Sequence, residues 1–199
     1  GGGVVAGYNS TVNMTSCTLT GEKIKRSKGG CIYAIGGTVN MTDCTLTGGF
    51  AKLGGAIYAE KSTSTWGGVK PSAVTIRGGT IGGTDAADAN KATGTAAYAG
   101  KGGGIYVGED CTLTMRNNVA FIGNDAANED CGRGKWQVNA RVGFTRPLQF
   151  AFSKLASEYW EAGATVNITG CAIAGNEAKT GGVFSKGGGR MKERQSGKH

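Results

Sequence analysis

The chain has 199 residues, 38 of them glycine and two of them proline, with a formal net charge of +8. That is one domain's worth of chain. The glycines follow no strict third-residue period, which excludes a collagen-like triple helix, and no apolar run approaches the ~20 residues of a membrane helix. The single histidine is His199, so neither a nucleophile–histidine–acid set nor a structural zinc site is expected.

The first repeat occupies about residues 1–28. Within it, residues 11–21 read TVNMTSCTLTG, and residues 38–48 repeat this, differing only by Asp43 for Ser16. A near relative, ATVNITGCAIAG, returns at 164–175, with looser copies at 73–83 and 111–123. Val12, Met14, Cys17 and Leu19 alternate with polar residues, a period of two that predicts strands with one buried face. Two short strands per copy are expected, with a bend near Ser16 and Cys17.

A glycine-pair motif precedes the copies: GGCIYA at 29–34, GGAIYA at 54–59 and GGGIYV at 102–107, with weaker forms GGVVA at 2–6 and GGVFS at 181–185. Paired glycines mark sharp corners. After each corner a short strand is expected, with Val5, Ile32, Ile57, Ile105 and Phe184 pointing inward and Tyr33, Tyr58 and Tyr106 on the other face. One such unit cannot bury its apolar side alone, whereas stacked units build a continuous core.

The second repeat spans about 29–53, and the third starts at Gly54 with a longer loop over 61–72, where Trp66 and Pro71 suggest a folded protrusion. The fourth runs from Gly102 to about 127. Residues 128–163 then break the pattern and are dense in aromatics, with six of the fifteen in the chain. Leu148, Phe152, Leu155 and Tyr159 fall on one stripe, which predicts a short helix over 148–162. The last repeat is expected over 164–185, and a basic, glycine-rich tail over 186–199. That tail lacks interleaved aromatics and reads as a solvated end, not a nucleic-acid contact.

GGAIY and GGGIY joined to TVNMT-x-CTLTG resemble the repeats of right-handed parallel β-helix proteins of the pectin-lyase-like group. The Gly-Gly-Ala-Ile form, with Phe121-Ile122-Gly123-Asn124, also resembles polymorphic membrane proteins and other bacterial adhesin passengers. The resemblance covers about 1–126 and 164–185. It implies an all-β fold, a right-handed parallel β-helix of about five coils with one irregular, helix-compatible insertion. It further implies an extracellular or cell-surface place, as at a bacterial outer membrane, and a non-catalytic role as adhesin, display scaffold or stalk, with a host or cell-surface glycan or protein as partner. The alternative is a carbohydrate-active β-helix, lyase or hydrolase, with its site degenerate or elsewhere. Opening inside a repeat at Gly1, the chain reads as part of a longer protein.

Candidate binding residues follow from the repeat. The turns TDAADAN (84–90) and NDAANED (124–130) are expected to occupy one place, aligning Asp85 with Asp125, Asp88 with Asn128 and Asn90 with Asp130. Stacked oxygen ligands suit calcium, for which Asp85, Asp88, Asp125 and Asp130 are the candidates; ordinary solvated turns are the plainer reading. Arg77 and Arg116 share a repeat position and are placed to contact an acidic sugar, although outward residues there need no role. The Tyr33–Tyr58–Tyr106 ladder offers rings to a sugar, or to each other. The Thr-x-Thr rows resemble ice-binding solenoids but break down in the later copies. Cys17, Cys44 and Cys171 hold one repeat position and are expected as a reduced, packed ladder, with Cys31 a small filler and Cys111 and Cys131 a candidate disulfide pair.

Overall fold

The computed structural model describes residues 2–21, 28–64, 68–93, 100–126, 137–141, 158–160, 165–174 and 177–178. Among them there is no helix, and every element is a strand. The first sheet holds β1 (Val4–Ala6), β4 (Ile32–Ile35), β8 (Ile57–Glu60), β14 (Ile105–Val107) and β19 (Glu158–Trp160), in that order. The second runs β2 (Thr11–Thr15), β5 (Thr38–Thr42), β11 (Ala73–Arg77), β15 (Thr112–Arg116), β20 (Thr165–Thr169) and β18 (Gln137–Arg141). The third runs β3 (Thr18–Thr20), β6 (Thr45–Thr47), β12 (Thr80–Gly82), β16 (Ala120–Ile122) and β21 (Ala172–Ala174). The fourth holds β7 (Phe50–Ala51), β13 (Lys91–Ala92), β17 (Asp125–Ala126) and β22 (Glu177–Ala178).

All pairing inside these four sheets is parallel. Apart from β18, the chain visits first, second and third sheet, and from β7 onward the fourth as well, before starting again. This order is compatible with a parallel β-helix-like solenoid. The loop at 61–72 departs from it, folding as an antiparallel hairpin of β9 (Ser62–Ser64) and β10 (Gly68–Lys70).

Like residues meet in register. Val12, Val39, Val74, Leu113 and Val166 share one ladder, as do Met14, Met41, Ile76, Met115 and Ile168. Leu19, Leu46, Ile81 and Phe121 form a third. The inward members of the middle strands are fully buried and form one cluster with Ile32, Ile57 and Ile105. Burying each such side chain is worth about 1.5–3 kcal/mol, and two-sided stacking is what makes burial complete.

The corners explain the glycine pairs. Gly54 adopts φ +62°, a conformation that costs a side chain bearing Cβ. Its neighbour Gly55 has no room: a Cβ there would stand 1.9 Å from the carbonyl oxygen of Gly103 on the next repeat. The bend between second and third sheets instead uses short polar residues in the left-handed region, Ser16 (φ 52°), Asp43 (φ 51°) and Asn117 (φ 61°).

Two expectations are corrected. Val4, not Val5, pairs with Ile32, so Val5 joins the tyrosine register position and stays 57% exposed. Residues 1–6 read GGGVVA, the same length as GGCIYA, and the register of Val4 with Ile32 matches Gly3 to Cys31; taking Gly2–Gly3 as the glycine pair moves every following residue by one. The helix expected over 148–162 is not formed at 158–160. There Glu158–Trp160 is β19, paired with β14 so that Tyr159 stands opposite Tyr106. The unpaired edge of β14 offers backbone partners that a short amphipathic stretch cannot match alone; the rest of that stretch lies outside the described residues. Further inside 128–163, residues 137–141 form β18, which lies beyond β20 although it precedes it in the chain. QVNAR there pairs in register with TVNIT, valine to valine and asparagine to asparagine. Phe184 and the 186–199 tail fall outside the described residues. No described helix is long and apolar enough to cross a membrane.

Candidate functional site

The alternation of strand residues sends Tyr33, Tyr58 and Tyr106 to the face opposite the isoleucines, where they form a cluster of their own with Leu53. Tyr58 and Tyr106 stack at 4.6 Å between centroids with an interplanar angle of 21°, and Tyr33 lies tilted at 5.7 Å from Tyr58. Each of the inner two is only 4% exposed, so their faces are turned on one another and Tyr33 alone keeps partial access to solvent.

Glu60 gathers this face. Two residues beyond Tyr58 on the same strand, its carboxylate accepts hydrogen bonds from the Tyr33 and Tyr58 hydroxyls, the latter at 3.0 Å. The Lys28 ammonium reaches it at 2.7 Å and stands 4.9 Å from the Tyr58 ring centroid. Burial, then the hydrogen bond to Glu60 and its charge, push the Tyr33 phenol well above its ordinary value. Neither Glu60 nor Lys28 was singled out by sequence. The readable signal was the i, i+2 spacing from Tyr58, which puts a carboxylate on the ring face.

The aspartates are not brought together as the turn alignment suggests. Lys91, not Asp85, pairs with Asp125, and Asn90 is the counterpart of Asn124. Residues 83–90 form a long excursion where the next repeat has only Gly123 and Asn124 between strands. Asp85 and Asp88 sit on it, where the Asp88 N–H donates to the Asp85 carbonyl at 3.0 Å. Asp130 lies outside the described residues. No group of three or more His, Cys, Asp or Glu side chains able to hold a metal occurs among the described residues.

What fixes this register is a pair of buried amides. The Asn90 side chain accepts from Gly49 N–H at 2.8 Å and donates to the Leu46 carbonyl at 3.0 Å and to Asn124 Oδ1 at 2.8 Å. Asn124 in turn donates to the Ile81 carbonyl at 3.1 Å. Both residues are fully buried, so each of these bonds replaces one that water would make.

Arg77 and Arg116 are direct neighbours across β11 and β15. Arg77 is exposed and Arg116 half-buried, and the Arg116 Nε is buried without a hydrogen-bond partner. The ion pairs among the described residues lie elsewhere, Lys28–Glu60 and Lys61 with Glu109 and Asp110.

The thiols are structural. Cys17, Cys44 and Cys171 donate across the bend to the carbonyls of Thr15, Thr42 and Thr169 at 3.3, 3.4 and 3.4 Å. These three, with Cys31 and Cys111, are free cysteines. Burial pushes the Cys31 thiol up to about 12 and the Cys111 thiol up to about 11, so neither is a ready nucleophile. Cys111 accepts from Ser72 N–H at 3.3 Å; Cys131, its candidate partner, lies outside the described residues.

No family model, no curated protein and no solved structure is matched by this chain.

Proposed function

We propose that this chain is a length of right-handed parallel β-helix from a secreted or cell-surface protein, acting as a non-catalytic scaffold that holds loops and outward columns against a glycan or protein. The observation that carries this reading is the tyrosine face. Its rings stack on each other and its one carboxylate is occupied by two hydroxyls and an ammonium. Groups arranged in this way stiffen a rod and do not leave an acid or a base free for a substrate. A rigid scaffold with variable loops is the usual arrangement for surface recognition. The fold by itself does not choose between stalk and enzyme; the disposition of these side chains favours the stalk.

The test uses the purified chain on a panel of neutral and acidic polysaccharides and on immobilised cell-surface protein. Retention on at least one surface with the polymer left intact is the expected result. New reducing ends or unsaturated uronates in the supernatant would replace this reading with the carbohydrate-active alternative.

A further inference from the structure

We propose that one end of the second sheet carries a linear anion-binding column, built on Arg77 and Arg116, that takes the carboxylate or sulfate groups of an acidic polysaccharide. This deepens the scaffold reading and rests on it. The last residues of the six strands of that sheet are, in spatial order, Thr15, Thr42, Arg77, Arg116, Thr169 and Arg141. Three arginines thus share one register position. Neighbouring strands stand about 4.8 Å apart, so Arg77 and Arg116 are separated by one strand spacing and Arg116 and Arg141 by two.

Two like charges at that spacing repel, and no ion pair among the described residues offsets them. Neither Arg77 nor Arg116 has an ion pair among the described residues. Asp43, on the adjoining bend, has a carboxylate oxygen over Gly78 and makes no ion pair with either guanidinium. The Arg116 Nε is removed from water and given no acceptor. The burial of Nε holds the stem of Arg116 in place, while the residue as a whole stays half-exposed at the end of the strand. Guanidinium suits this role because its planar fork binds a carboxylate or sulfate through two parallel hydrogen bonds. The threonines at the same register position add neutral hydroxyls along the line. A ligand with regularly spaced negative groups, running along the stack direction, fits this column better than a single small anion.

The experiment is calorimetric titration of the full chain with two polymers, a sulfate-free polyuronate and a uronate-free dextran sulfate, at physiological salt. Comparing the two identifies which anionic group is taken. Arg77→Gln and Arg116→Gln should each weaken binding to the preferred polymer by about tenfold, the loss of one charge-assisted hydrogen bond. Arg77→Lys, which keeps the charge but not the fork, should lie between. Lys52→Gln removes the same charge from an exposed site elsewhere and should change affinity less than twofold. Equal losses in Lys52→Gln and Arg77→Gln would mean that the net charge of +8 does the binding, and would overturn the column. Absence of binding to both polymers would overturn it too. Binding that is intact in both arginine variants would end this proposal while leaving the scaffold reading in place, whereas cleavage of either polymer would end the scaffold reading itself. Arg77 is exposed, so its variant remains informative even where Arg116→Gln fails to fold.

Discussion

Strands β2 and β5 have the same five residues, TVNMT, and the same pairing pattern, yet they live in different environments. In β5, Val39 and Met41 are fully buried; in β2, Val12 and Met14 are only half-buried. β5 has a neighbour on each side and β2 is the outermost strand of its sheet. The same contrast holds for Leu46 against Leu19 and for Cys44 against Cys17. Burial in this protein is therefore a property of position in the stack, not of the repeat's composition. A single repeat would leave its apolar face wet, which is the physical reason the repeats occur together.

The sharpest way to break the comparison is to truncate the same side chain in both places. Leu46→Ala should cost about 3 kcal/mol in urea unfolding, the usual range for a closed core site. Leu19→Ala should cost about 1 kcal/mol, because the removed atoms already face water on one side. Equal costs would mean that the rim is covered and the contrast is false. A polar version follows. Asn90→Ala orphans the Gly49 N–H and the Leu46 carbonyl together and should cost about 2–3 kcal/mol. Asn13→Ala, whose amide bonds only Asn40 on the exposed face, should stay within about 0.5 kcal/mol.

These contrasts also mark what could be read from sequence. The strand ladders were legible because period-two alternation and near-identical copies leave one register that keeps every oily residue inside. The glycine corners were legible because few residues tolerate their backbone. The Asn90–Asn124 pairing was not, because residues 83–90 swell one turn and hide the correspondence; aligning the aspartates looked better in letters than in space. Val5 was misplaced because three glycines in a row, Gly1 to Gly3, leave the choice of pair open in the letters. β19 and β18 were missed because their residues match the repeat only once the neighbouring strand is known. EYW reads as helix alone and as a strand beside IYV. The arginine neighbours were visible as a repeat position, but the third member, Arg141, emerges only from the crossover of β18.

Alkali separates interior from rim by chemistry. Burial holds the Cys31 thiol up at about 12 against an ordinary 9.0, so the folded state favours its neutral form. That contribution is complete below pH 9 and is lost as pH rises toward 12. Unfolding free energy should therefore fall above pH 9, and Cys31→Ala should remove about 2 kcal/mol of the loss between pH 9 and 11. The slope should be unchanged in Cys31→Ala only if that thiol is open to water. Cys17 is the rim counterpart: in the native protein an alkylating reagent should modify it well before Cys31, as read by peptide mass.

The smallest expected effect tests whether the outer face behaves as a network or as a pile of rings. Tyr58→Phe removes one hydroxyl that donates to Glu60 and leaves the 4.6 Å stack on Tyr106 in place. Glu60 keeps Tyr33 and Lys28, so no carboxylate is orphaned, and the loss should be about 1 kcal/mol in thermal or urea unfolding. Glu60→Gln removes the acceptor charge for all three partners and should cost more than Tyr58→Phe. If the two cost the same, Tyr33 and Lys28 add nothing through the carboxylate, and the network is false. If Tyr58→Phe is silent while Glu60→Gln is costly, the Lys28–Glu60 pair holds the face, and the phenols are packed against it chiefly by their rings.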